Sequence, residues 1–234
     1  MKRILTTLFA AFLSVGFFGC LSLGSVLGGG ESNSQDADKW DIAALDTARN
    51  VDYLSAIEKD VILEMNKARS NPALYAELYI LPRLKKFDGK VYNGTLVTHE
   101  GVAVVNECVS YMKSAKPLSV LNGAKGLSLA AQQHSSTQGE TEQTGHTGVD
   151  GSSPFTRIEK YGTYRTAGEN IDYGAKSARD IVVSLLIDDG VSSRGHRKNI
   201  MSKDFSVAGV GFSNKHKKYG SLCVITFAGG YSEK

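Results

Sequence analysis

Two histidines and two carboxylates, each at a turn or an element end, have the chemistry to act together: His146, Glu169, Asp188 and His196. His146 stands in the loop GHTGVDGSSP (145–154), Glu169 in AGENI (167–171), and His196 in SSRGHRKNI (192–200). Two imidazoles with two carboxylates could hold zinc, with His146 and His196 as ligands, or could poise a water between a base and an acid. Titratable groups flanked by Gly and Asn at element ends are the kind that converge on a cleft. Their spacing is long and irregular, so spacing alone specifies no metal geometry.

Other chemistries lack their residues. His99-Glu100 opens like the zinc-protease pattern HExxH, but Ala103 stands where the second histidine is required. Neither a G-x-S-x-G elbow nor a phosphate-binding P-loop is present. Cys108 and Cys223 have no flanking His or Asn pattern for a thiol nucleophile. They could pair in an oxidising compartment, closing a loop worth about 4–5 kcal/mol in the chain-entropy account, or lie buried as free thiols. Sequence leaves both open. His134, on an Ala-rich helical face, reads as a packed or capping residue. Asn170 and Asn199 read as satisfying backbone groups in their turns. Arg194, Arg197 and Lys198 read as solvated charge around His196, and Gly145, Gly148 and Gly151 as positive-φ turn residues.

The elements that must position these groups follow from periodicity. Leu54, Ile57, Val61, Ile62, Met65 and Ala68 recur at helical steps and predict a helix over 53–70, ended by Asn71-Pro72. A second helical stretch over 73–87 should break or kink at Pro82, with turn material from Asp88 to Asn93. Further helices are expected over 100–115, 125–139 and 178–188, and a short helical turn over 155–161. Residues 164–173 lean extended, 189–198 read as a loop, and 207–212 and 222–227 as short apolar strands. Helices first and strands late predict an α+β class, an αβα sandwich with a central, mostly antiparallel sheet.

The first twenty residues read as a leader. Met1-Lys2-Arg3 is followed by an apolar run from Ile4 to Phe18, about 15 residues, too short to span a bilayer at the ~20 required. It ends in Phe17-Phe18-Gly19-Cys20, which is similar to a lipobox with Cys20 as lipidation site, although Phe17 stands where Leu is usual. Residues 21–50 read as a flexible tether, Gly/Ser-rich and then acidic up to Asp38, ahead of a folded domain over 51–234. The expectation is an exported protein anchored to the membrane through Cys20. Leu21-Ser22 lacks the aspartate that retains some lipoproteins at the inner membrane, which favours the outer one. Lys2 and Arg3 carry two of the net charge of +3. The remaining +1 gives no basic footprint for nucleic acid.

The blocks GHTGVDGSSPFTRI, AGENI, LLIDDGVSSRGHRKNIM, VAGVGF and CVITFAGG, in that order, resemble the CAP superfamily of cysteine-rich secretory, antigen 5 and pathogenesis-related 1 proteins, in its bacterial SCP-like branch. The helix carrying EMNKARSNP, with Asn66 and Arg69, fits as well, and the resemblance covers roughly 53–230. It implies the αβα sandwich and a cleft lined by a His/acid tetrad. His146, Glu169 and His196 match three members. Asp188 matches the fourth, with aspartate where glutamate is typical; Asp189 is the fallback. The disulfide framework of the animal members is absent. The resemblance implies a non-enzymatic binding module, with a lipid, sterol or protein ligand, whose cleft could hold a divalent metal such as zinc. The alternative is a zinc-assisted, peptidase-like hydrolase using the same cleft.

Overall fold

The computed structural model describes residues 39–234, so the expected leader, Cys20 and the tether up to Asp38 lie outside the described residues. The packed chain begins earlier than the boundary at 51. Trp40 is buried, stacks on Tyr79, meets Tyr75 edge-on, and donates its Nε1–H to the Tyr79 hydroxyl at 3.0 Å. A short helix α1 (Ile42–Leu45), with the Asp41 carboxylate accepting from Ala44 N, carries Leu45 into the main core, where Ala48 also packs. A large aromatic and two aliphatic side chains are thus buried within the stretch read as tether.

Helix α2 (Ala56–Ser70) starts where Glu58 reaches back to accept from Ser55 N, and Asn71-Pro72 closes it. Its apolar stripe faces the core. Its buried polar residues clamp segments on either side of it in the chain. Asn66 bonds Leu45 O and both backbone groups of Leu121, and the buried Arg69 guanidinium bonds four carbonyls, those of Ser119, Ile200, Ser202 and Phe205. The helical stretch expected to break or kink at Pro82 is α3 (Pro72–Tyr75), a π turn (Ala76–Ile80) and a 3-10 stretch (Leu81–Lys86). Proline cannot donate into an α-helical ladder, and the change of winding surrounds Pro82. The turn material after it forms a small antiparallel meander, β1 (Phe87–Asp88), β2 (Val91–Tyr92) and β3 (Leu96–Val97). Then come α4 (Val102–Ser114), β4 (Asn122–Gly123), α5 (Lys125–Gly139), α6 (Pro154–Glu159), β5 (Gly162–Thr163), β6 (Thr166–Tyr173) and α7 (Ala178–Ile187). The chain ends with α8 (Gly195–Ile200), β7 (Val207–Ser213), β8 (Leu222–Gly229) and β9 (Ser232–Glu233).

The main sheet has the order β4-β7-β8-β6, antiparallel except for the two-residue parallel pair of β4 with β7. All eight residues of β8 are buried, as a strand between two neighbours and two helical layers requires. Helix α5 covers one face; α2 and α7 pack together on the other. This is the expected αβα sandwich. Gly209 and Gly211 of β7 make the α5 side tight: a β-carbon on Gly209 would sit 2.1 Å from the Leu127 backbone, and one on Gly211 2.5 Å from that of Ala131. The glycines of VAGVGF therefore let helix backbone lie directly on strand backbone. Strand β6 is an edge, and the site lies along it.

Candidate functional site

Glu169 projects from β6 with its side chain fully buried. Its Oε1 lies 2.8 Å from His146 Nδ1, and its Oε2 accepts from Arg157 Nη2 at 2.8 Å. Arg157, on α6, is itself buried and also donates to the carbonyls of His146 and Ser152. One guanidinium therefore neutralises the acid and fastens the histidine loop. The loop is fixed from α5 as well, because Gln138 Nε2 and His134 Nε2 both meet Gly145 O, at 2.7 and 3.0 Å. His134 is the packed residue expected, and burial lowers its pKa. Gly145 and Gly151 have φ of 97° and 79°. Gly148 does not share that conformation, and a β-carbon there would crowd only the side-chain ends of Ser152 and Asp150.

Asp188 closes α7 in the left-handed conformation, φ 59° and ψ 45°. Its Oδ1 lies 2.7 Å from His196 Nδ1, and its Oδ2 accepts from His196 N at 2.9 Å. The shorter aspartate reaches because α8 turns back onto the end of α7. Residues read as a loop are helical here, since GHRKN has no apolar period to betray a six-residue helix. Asp189 is occupied elsewhere, accepting from the backbone N–H groups of His99 and Glu100 ahead of α4.

The arginines around His196 are not solvated charge. Arg197 is buried and forks onto Glu107 at 2.6 and 2.8 Å, with further bonds to Leu186 O and Ile187 O at the end of α7. Arg194 forks onto Glu100 and bonds Asp188 O. Only Lys198 of the three is exposed. Arg69 holds Ile200 O at the C-terminus of α8, which ties the helix carrying His196 to α2. Burial lowers its pKa to about 10, so it stays charged at neutral pH.

The two halves meet at the edge strand. Asn170 donates to His196 O at 2.9 Å, and Asn199 donates to Asn170 Oδ1 and to Glu169 O. The asparagines do satisfy backbone groups, but across elements rather than within their own turns. Consecutive residues of a strand face opposite ways. Glu169 therefore takes His146 on one face while Asn170 takes α8 on the other. The structure brings all four expected residues to this edge as two pairs. Arg157, Arg69 and Glu107 were missed, although the first two lie inside the blocks that carry the resemblance.

An ionised carboxylate only accepts, so Nδ1 donates in each pair, and a ring in its neutral form then carries its lone pair on Nε2. No protein group bonds either Nε2 among the described residues. That is the orientation of a histidine prepared as a metal ligand by an outer carboxylate. The donor set stops at two, because the carboxylates are spent on the rings and no three His, Cys, Asp or Glu side chains gather as a metal group among the described residues. Cys108 and Cys223 are buried free thiols in separate elements, α4 and β8, and the possible disulfide is not formed. Burial pushes the Cys108 thiol up to about 12 and Cys223 well above its ordinary value, which makes both poor nucleophiles.

A three-layer sandwich with two carboxylate-held imidazoles at one sheet edge defines the class of domain. A family model described as CAP, the Cysteine-rich secretory protein family, matches residues 64–227, and the chain belongs to that family. A segment of 98 residues is 34% identical to the uncharacterized protein YkwD of Bacillus subtilis (strain 168), covering 42% of this chain and 35% of that protein. The chain thus spans about a third of that relative's length. Among solved structures, an outer surface protein from Borrelia burgdorferi is 21% identical with a TM-score of 0.41, over 48% of this chain and 80% of that one. An extracellular protein containing a SCP domain from Bacillus anthracis is 19% identical with a TM-score of 0.41, over 64% of this chain and 49% of that one.

Proposed function

We propose that this CAP protein is exported, is held at the cell envelope by a lipid on Cys20, and works as a binding module whose edge cleft takes a divalent cation on His146 and His196. The observation that carries the reading is the pair of imidazoles, each held through Nδ1 by a buried carboxylate and each with Nε2 unbonded. Binding is favoured over turnover by the same site. A catalytic zinc ordinarily has three protein ligands and an open position, whereas this cleft offers two. No hydroxyl or thiol among the described residues bonds either ring, so a side-chain nucleophile activated by histidine has no support. The lipid anchor rests on the sequence around Cys20, and an outer-membrane location on Leu21-Ser22.

Calorimetric titration of zinc into the purified protein tests the cleft. We expect one site of micromolar affinity, weakened about a hundredfold or more in the His146→Ala, His196→Ala double variant. Equal binding by the two proteins would remove the metal reading. Cys20→Ser should release the protein from the membrane fraction, and retention of that variant would remove the anchor.

A further inference from the structure

Adjoining the imidazole cleft lies a cavity of about 450 Å³, within the range of small-molecule sites. Its floor is the end of β6, its walls are α4 and α7, and the β1–β3 meander forms its rim. It shares Asp188 and His196 with the cleft but not His146 or Glu169. Its lining is mainly apolar and strongly aromatic, with Phe87, Tyr92, Tyr173 and Tyr219 around the aliphatic Val105 and Leu185. One polar group in it is out of place. Asp172 is 6% exposed, lines the cavity, and has a Ser184 hydroxyl and the Ala175 N–H as partners, but no Lys or Arg pairs with it among the described residues. Buried carboxylates are ordinarily paired with a cation. Arg83, the guanidinium in the lining, is committed to Asp180 and lies over the Tyr92 ring.

We propose that this cavity binds a small organic cation, a primary or quaternary ammonium on an apolar body, with the ammonium against Asp172. The carboxylate supplies the counter-charge for the ammonium, and Phe87, Tyr173, Val105 and Leu185 supply apolar lining for its body, while the Tyr92 and Tyr219 rings already have Arg83 and Lys218 over them. Asp188 and Asp189 add negative charge along the same lining, so a fatty-acid carboxylate or a phosphate would meet repulsion. Burial supports the assignment. It raises the Asp172 carboxyl to about 6, which still leaves it mainly ionised at neutral pH, and a bound ammonium would relieve that burial. The inference goes beyond the metal cleft and does not depend on it.

The test uses three ligands with one apolar body, hexyltrimethylammonium, hexanol and hexanoate, titrated into the intact protein at pH 7.5. The cation should bind about tenfold or more tighter than the alcohol, with hexanoate weakest. Asp172→Asn should abolish that preference. His146→Ala, which removes a cleft imidazole outside the cavity, should leave it intact, so loss of zinc binding and loss of ammonium binding are read separately. Equal or tighter binding of hexanol or hexanoate, or no binding of the cation, overturns the proposal. So does an unchanged preference in Asp172→Asn. The comparison of ligands on the unsubstituted protein decides even if that variant fails to fold.

Discussion

The two imidazoles of the cleft are held by the same ring atom, yet their supports differ. On the His146 side the acid is on a strand, is wholly buried, and is neutralised by the buried Arg157. On the His196 side the acid is a helix cap in the left-handed conformation, and backbone N–H groups hold it instead of a cation. The first half gets its rigidity from charge pairing inside the protein. The second gets it from the path of the chain between α7 and α8. Similar ring orientation can therefore come from electrostatics or from backbone geometry, and the two should fail differently. Asp172 extends the comparison. It lies three residues beyond Glu169 on the same strand and is also buried, but it has no cation partner among the described residues.

The largest effect should come from breaking the charge-paired half. Arg157→Met leaves Glu169 buried without its counter-charge and should cost about 3–5 kcal/mol in urea unfolding. A loss under ~1 kcal/mol would mean that the His146 side does not depend on that ion pair. Next is Asp172→Asn, with the opposite sign. An acid whose pKa rises from 3.8 to about 6 on folding binds its proton more tightly in the folded state. The wild type therefore loses stability as pH rises from about 4 to about 6, and stays lower above that window. Asp172→Asn should thus stabilise the protein by about 2–3 kcal/mol at pH 7, with the difference vanishing below about pH 4. A variant less stable than wild type at pH 7 would contradict an uncompensated buried charge. The smallest effect separates the two supports of His196. Asp188→Ala loses both the cap and a residue tolerant of positive φ, and should cost about 2 kcal/mol in thermal unfolding. Asp188→Gly loses the same carboxylate bonds to His196 but tolerates the positive φ, and should recover about 1 kcal/mol of that. Equal costs would show that the left-handed conformation at this position imposes no strain on a residue with a β-carbon.

The sequence carried the layered fold and the four cleft residues because both leave local marks. Apolar periods marked out α2, α4, α5 and α7, and titratable residues near Gly and Asn marked the four side chains, but not which acid holds which ring. What it hid were groups whose role depends on a partner far along the chain. Arg157, Arg69 and Arg197 look like ordinary surface charge until the fold brings them to Glu169, to the end of α8, and to Glu107. Trp40 was obscured by its polar neighbours, although a lone tryptophan beside the capping Asp41 was a readable signal. The β1–β3 meander was hidden by its brevity: three two-residue strands cannot show an alternation.

The contact between Gly209, Gly211 and helix α5 reaches further than packing. His134 and Gln138, which hold the carbonyl of Gly145, are carried on that same helix. Two absent methyl groups therefore act as a ruler that sets the height of the His146 loop above the sheet. A single added carbon at either glycine would lift the rod and everything fastened to it. Substitutions on the far side of a strand, remote from either imidazole, would then imitate lesions of the cleft itself.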